Sequence, residues 1–332
     1  MDINFGVKKV NYNEKIRSLT TKASGVVKSN KFFPVYLIDN KEYIFKPLSK
    51  TKPFTTPLFS YAEVVWSYIT NRYFCYAPQY ELASCVGYEE NEKKYYDNGC
   101  LVEYIVGDGE HLINLLEYFR KNPDKNVNID DYINYCMDFY DYIPIFKSEV
   151  IKNNRNIGKD LAMQVLLSIL KADQNFHYEN VMFVCDNAGS IIKLAPMLDH
   201  EFSTMFLFPD KLSYHIYYFD KYVRLLSDKE SVIRKNIAYI KENYFDVFDL
   251  FINAIDKLYE DVEKLQLQDN GFLFSSNSFL YEAGRERFKN NNEEKAKVLE
   301  QSMELIDINL EVMNNLIVYE IKEVIKNLKR ML

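Results

Sequence analysis

The chain has 332 residues, of which 48% are hydrophobic and 15% aromatic, with ten Gly and nine Pro. This excludes a disordered or linker-dominated protein and describes a folded, helix-rich one large enough for a two-lobed domain. A net charge of −7 argues against direct nucleic-acid binding. No apolar run approaches the roughly 20 residues needed to cross a bilayer, and the N-terminus lacks a basic-then-apolar leader, so the expectation is a cytoplasmic protein with no membrane partner. The five cysteines (Cys75, Cys85, Cys100, Cys136, Cys185) are odd in number and form no C-x-x-C pair; they read as buried free thiols.

In chain order, Val7 to Ile16 suits an edge strand or a short helix. Lys22-Ala-Ser24-Gly25-Val-Val-Lys28 is a small-residue loop beside a sheet. Gly25 permits close backbone approach, so Ser24, Gly25 and Lys28 can cradle phosphates, or the segment is a surface turn with a solvated lysine. The runs Phe33 to Ile38 and Tyr43 to Lys46 flank Asp39-Asn40 and predict a β-hairpin. Lys46 closes the second strand ahead of Pro47, which ends the ladder. Ser60 to Tyr73 has the spacing of an amphipathic helix with Ser60 as N-cap and Glu63 in its first turn. Either the helix dipole explains Glu63, or Glu63 pairs with Lys46 and aims its ammonium at nucleotide phosphates, as a strand lysine and a helix glutamate do in protein kinases.

Tyr80 to Gly87 and Cys100 to Gly107 read as strands around a charged tip, Glu89 to Gly99. Glu103, Tyr104 and Ile105 then lie either on an inner strand or at a seam where backbone groups meet a flat heterocycle. Past Asp108 the pattern turns helical, with stripes at Leu112-Ile113-Leu115-Leu116-Phe119 and at Ile129 to Phe146. The expected division is a β-rich N-lobe, 1–106, and a helical C-lobe, 107–332. A helix from Asn156 to Leu170 delivers the chain to Lys171-Ala-Asp173-Gln-Asn175-Phe-His177-Tyr-Glu-Asn180. Val181 to Cys185 and Ile191 to Ala195 form a hairpin around Asp186-Asn-Ala-Gly189, which brings Asn180 and Asp199 to one end. Oxygen ligands placed that way share Mg²⁺ bridging a nucleotide's phosphates in kinase-like sites. His177 reads equally as an orienting core histidine or a proton carrier. Residues 212–332 are helical; the aromatic patch Tyr214 to Tyr222 suits core packing, and the broad apolar stripe after Glu293 suits lobe closure better than a coiled coil.

Asn175-Phe-His177-Tyr-Glu-Asn180 with Leu194-Ala-Pro-Met-Leu-Asp199-His-Glu-Phe-Ser203 is similar to the HipA-like family of serine/threonine kinases, which read N-x-D-x-H-x-x-N and then L-A-P-x-Y-D. Ser24-Gly-Val-Val-Lys28 resembles that family's phosphate loop, Tyr43-Ile-Phe-Lys46-Pro its lysine strand and Ala62-Glu63 its following helix, over roughly residues 20–210. The resemblance implies an α+β, bilobal, protein-kinase-like fold of the compact kind without an extra N-terminal subdomain. It also implies use of ATP and Mg²⁺, a protein substrate or autophosphorylation and, as in some members, an antitoxin-type partner protein. One departure stands out: the family's catalytic aspartate falls on Asn175, while Asp173 stands where the family has asparagine. An amide cannot accept the substrate hydroxyl's proton as a carboxylate does. Asp173 serves as base, His177 does, or the chain binds ATP with little or no transfer.

Overall fold

Alternation along Tyr43-Ile44-Phe45-Lys46 requires one strand to serve two environments, and the structure supplies both. The computed structural model describes residues 2–4, 7–21, 31–47, 58–76, 78–90, 93–129, 139–173, 176–197, 212–264, 266–268 and 310–331. Strands β2 (Lys8–Asn11), β3 (Arg17–Thr21), β4 (Lys31–Ile38), β5 (Lys41–Pro47), β6 (Tyr80–Glu90) and β7 (Lys93–Glu103) form a six-stranded sheet in the order β2-β6-β7-β5-β4-β3. Its pairs are antiparallel except β2 with β6. The edge-strand alternative for Val7 to Ile16 is therefore the one adopted, with a single 3₁₀ turn, Tyr12–Glu14, after it.

Val10, Tyr36, Phe45, Ala83, Cys85 and Leu101 bury together on one face of the sheet. Ile44, Tyr80, Leu82, Cys100 and Val102 turn the other way, toward Val64, Val65, Trp66 and Ile69 of helix α1 (Leu58–Phe74). The β4–β5 turn holds Asp39 at φ 50° and Asn40 at φ 61°, the left-handed pair a two-residue hairpin of matching twist demands. Two expectations need correction here. Helix α1 begins at Leu58, so Ser60 lies inside it, and Glu63 sits in its second turn rather than its first. The charged tip is shorter than expected, because β6 and β7 stay paired out to Glu90 and Lys93.

Beyond residue 106 the chain is not helical at once. Leu112 and Ile113 belong to a strand, β8 (Glu110–Asn114), and only then does α2 (Leu115–Lys121) begin, capped by Asn114 Oδ1 accepting from the Glu117 N–H at 2.7 Å. Strand β8 pairs with β9 (Met182–Asp186), which pairs with β10 (Ile191–Leu194), giving a second, three-stranded sheet. The Ile129–Phe146 stripe is likewise not one helix: residues 130–138 lie outside the described residues, Phe139 to Tyr142 belongs to no helix or strand, and α3 covers only Ile143–Phe146. After α4 (Glu149–Lys152) comes α5 (Arg155–Leu170). From Ile157 to Leu170 it is buried at every position except Lys159 and Asp160, the signature of a helix surrounded by core.

Helices α6 (Leu212–Ser227), α7 (Val232–Asn243), α8 (Phe245–Asp261) and α9 (Leu310–Met331) follow. In α6 Phe219 and Tyr222 are buried, as core packing requires, and α9 buries Ile321, Val324, Ile325 and Leu328 at helical spacing. A short strand, β11 (Gln266–Gln268), pairs in parallel with β1 (Asp2–Asn4) and was not foreseen from sequence. The whole is a mixed α+β architecture, a curled sheet joined to a helical part, as expected. Of the cysteines, Cys85, Cys100 and Cys185 are buried and free, Cys75 is exposed against expectation, and Cys136 lies outside the described residues. Among the described residues no helix is long and apolar enough to cross a membrane.

Candidate active site

Because Phe45 takes the far face of the sheet, Lys46 faces α1. Its ammonium donates to Oε1 of Glu63, a carboxylate only 2% exposed. The dipole of a helix acts mainly within its first turn, so for a second-turn Glu63 the ion pair is the better explanation. Lys46 Nζ also lies 5.7 Å from the Tyr80 ring centroid, a distance at which an aromatic face attracts a cation. The lysine keeps 22% of its side chain exposed, enough to meet a ligand anion from the solvent side.

The seam is largely an inner strand. Glu103 pairs with Tyr43, its carboxylate holds Lys41 at 2.9 Å, and its N–H donates to the Gln79 carbonyl at 3.4 Å. The N–H of Tyr104 donates to the Glu42 carbonyl at 2.8 Å. Ile105 follows just beyond the ladder and is half-buried. Ser24, Gly25 and Lys28 lie outside the described residues, as do Asn175 and Asp199; the flanking pair Thr21 and Lys31 is in register between β3 and β4.

The end of α5 is built by hydrogen bonds. The Ala172 N–H donates to the Ile169 carbonyl at 3.1 Å, and the Asp173 N–H reaches back to the Ser168 carbonyl at 2.8 Å. Ala172 has φ 49°, so this is a Schellman cap with alanine at the left-handed position that glycine usually fills. The cap turns Lys171 and Asp173 toward each other, with Lys171 Nζ 3.1 Å from Asp173 Oδ2. Both side chains are buried, at 0% and 2% exposed, and burial of a charge is tolerated only with such pairing.

The following residues are held by aromatic rings. The Tyr142 hydroxyl donates to the Phe176 carbonyl at 3.1 Å and the Tyr178 hydroxyl to the Asp141 carbonyl at 2.5 Å. The Tyr142 ring lies tilted at 5.1 Å from Phe176 and edge-on at 5.4 Å from Tyr178, and burial pushes the Tyr178 hydroxyl's pKa well up. His177 is buried, and its Nδ1 accepts the Glu179 N–H at 3.2 Å, an arrangement that fits a neutral ring protonated at Nε2. The Asn180 N–H donates to the His177 carbonyl at 2.9 Å, leaving Asn180 half-buried two residues before β9. Across the hairpin the Ala195 N–H donates to the Met182 carbonyl at 2.8 Å, so the chain leaving β10 toward Asp199 starts from the same end as Asn180.

Sequence reading assigned no role to Lys171, Gln164, Tyr142 or Ser67. Gln164, 1% exposed on α5, donates through Nε2 to the Ala195 carbonyl at 2.6 Å and to the Tyr76 hydroxyl at 3.3 Å. It ties the exit of β10 to the chain after α1. A polar residue inside an otherwise apolar helix stretch was the available signal for it, as for Ser67. No cluster of three or more His, Cys, Asp or Glu able to hold a metal occurs among the described residues, and of the two oxygen ligands expected from sequence only Asn180 lies within them.

No protein-family model matches this sequence, and no curated protein matches it. Among solved structures the chain is similar to the crystal structure of a Helicobacter pylori proinflammatory kinase, CtkA. The identity is 12% over 91% of this chain and 99% of that one, with a TM-score of 0.46. It is also similar to the crystal structure of the Golgi casein kinase, at 10% identity over 98% and 72% of the two chains and a TM-score of 0.35.

Proposed function

We propose that this chain is an ATP- and Mg²⁺-dependent phosphotransferase of the protein-kinase kind, similar to the HipA-like kinases, that moves the γ-phosphoryl group to a serine or threonine hydroxyl of a protein or of itself. The observation that carries this reading is the Lys46–Glu63 pair: a strand lysine held by a buried helix carboxylate, with part of its side chain still open to solvent, suits the binding of nucleotide phosphates. In this reading 1–106 and 107–332 act as two lobes around the nucleotide. Ser24, Gly25 and Lys28 cover the phosphates, and Glu103 and Ile105 border the base. Asn180 and Asp199 would hold Mg²⁺, which would supply positive charge to neutralise that developing on the phosphate.

Asp173 acts in this account through structure. Its carboxylate is committed to Lys171 inside the core, and His177 offers Nδ1 to a backbone N–H. Transfer then relies on positioning and charge neutralisation, which dominate phosphoryl transfer, rather than on a strong base at Asn175. The same buried pair favours a second reading, a nucleotide-binding interaction module with little transfer that pairs with an antitoxin-type protein. Incubation with radiolabelled ATP and Mg²⁺, followed by phosphosite mapping, separates the two. Label on Ser or Thr that is lost in Asp199→Ala supports the kinase; nucleotide binding without label supports the module; transfer unaffected by Asp199→Ala removes the metal assignment.

A further inference from the structure

We infer that Ser67 and Tyr80 are positioning residues that hold the Lys46 ammonium in place; the inference rests on the reading of Lys46 as the phosphate-binding lysine. Ser67 lies one turn along α1 from Glu63, on the same face, and is 1% exposed. Its hydroxyl donates to the Pro78 carbonyl at 2.7 Å and accepts the Tyr80 N–H at 3.0 Å. One side chain of α1 thereby joins two backbone groups at the entry of β6, the Pro78 carbonyl and the Tyr80 N–H. Tyr80 then lays its ring 5.7 Å from Lys46 Nζ, and Lys46 donates to Glu63.

The contacts close a circuit: Lys46 to Glu63, one turn of α1 to Ser67, across to the backbone of Tyr80, and through its ring back to Lys46. Helix and sheet are thus joined at two points one turn apart, one of them the ion pair itself. Added to the packing of Val64, Val65, Trp66 and Ile69 against the sheet, the two polar contacts set where Glu63 stands relative to β5. An ordinary buried serine would satisfy its hydroxyl within its own helix. Ser67 spends both its donor and its acceptor on the neighbouring strand.

The test is the acetylation rate of individual lysines in the full chain, using a water-soluble succinimidyl acetate at limiting times and peptide mass spectrometry. Lys125, 79% exposed, serves as reagent reference, and Lys171, 0% exposed, reports general opening. Ser67→Ala and Tyr80→Leu are expected to raise the Lys46 rate about fivefold with Lys171 unchanged, while Tyr80→Phe, which keeps the ring, stays near wild type. A Lys46 rate that does not change in Ser67→Ala, or that rises only in step with Lys171, overturns the positioning role. Protection of wild-type Lys46 by ATP with Mg²⁺ reports on the nucleotide reading separately. Its absence overturns that reading and the positioning role with it, whereas an unchanged Ser67→Ala rate overturns the positioning role alone.

Discussion

Removing the charge of Asp173 by Asp173→Asn leaves the Lys171 ammonium buried without its carboxylate. At 3.1 Å the pair's Coulomb attraction is about 5 kcal/mol at an effective dielectric of roughly 20. Desolvation of both groups offsets much of this when the intact pair is compared with an apolar pair, but not when one partner alone is removed, which typically costs about 3–5 kcal/mol. Each single variant, Asp173→Asn or Lys171→Met, is therefore expected to lose about 3 kcal/mol or more in urea unfolding followed by far-UV circular dichroism. The double variant should lose no more than either single one, giving a coupling of about 3 kcal/mol in the mutant cycle. Trp66 is the chain's one tryptophan and lies in α1, so its fluorescence shows whether the loss begins away from the sheet. The double variant should also retain phosphate transfer if Asp173 acts through structure. Coupling below about 1 kcal/mol, or a stable double variant that has lost transfer, refutes the reasoning.

Ala172→Gly removes the left-handed strain of a side chain at φ 49°, a gain of about 1 kcal/mol that exceeds glycine's unfolded-state cost of roughly 0.5 kcal/mol; thermal unfolding should rise by a degree or two. Gly158→Ala should destabilise by about 1–3 kcal/mol despite alanine's better helix propensity, because its Cβ would fall 2.4 Å from the Tyr244 hydroxyl oxygen and force that buried ring to move. For Asp124, burial pushes the carboxyl's pKa up, but the N–H groups of Glu149 and Asn126, at 2.8 Å each, bring the net shift below the ordinary value. A lowered folded pKa contributes stability that is present above the unfolded value and lost as pH falls through the folded one. Asp124→Asn should thus be less stable than wild type by about 0.3–1 kcal/mol at pH 7, the contribution of a negative charge at a helix N-terminus, with the difference shrinking as pH falls below the ordinary carboxylate range in denaturation series.

Legibility in the sequence followed the range of the interactions. The β4–β5 hairpin, the β9–β10 hairpin around Gly189 and the body of α5 were readable because turn chemistry and periodicity are local. Lys46 and Glu63 were readable as a pair from strand alternation and a known pattern, although the helix starts at Leu58 and not just after Ser60. Strand β8 was missed because Leu112-Ile113 continues into Leu115-Leu116-Phe119 at helical spacing, and only pairing with β9, some seventy residues on, makes it a strand. The β1–β11 pair, Asp-Ile-Asn against Gln-Leu-Gln, carries no periodic signal and joins Asp2 to the distant Gln266. The alanine in the cap of α5 hid the turn that brings Lys171 onto Asp173, since glycine is the residue that advertises such a cap. Without that turn, the Lys171–Asp173 pair is not legible.

The central claim, a nucleotide-phosphate site organised on Lys46 and Glu63, is tested most directly by equilibrium binding of ATP with Mg²⁺ to wild type and to Lys46→Met, using a fluorescent ATP analogue with competition by unlabelled ATP. The account predicts saturable, competed binding by wild type and at least a tenfold loss in Lys46→Met, about 1.4 kcal/mol or more. Absence of competed binding by the folded wild type, or equal affinity in the two proteins, contradicts it.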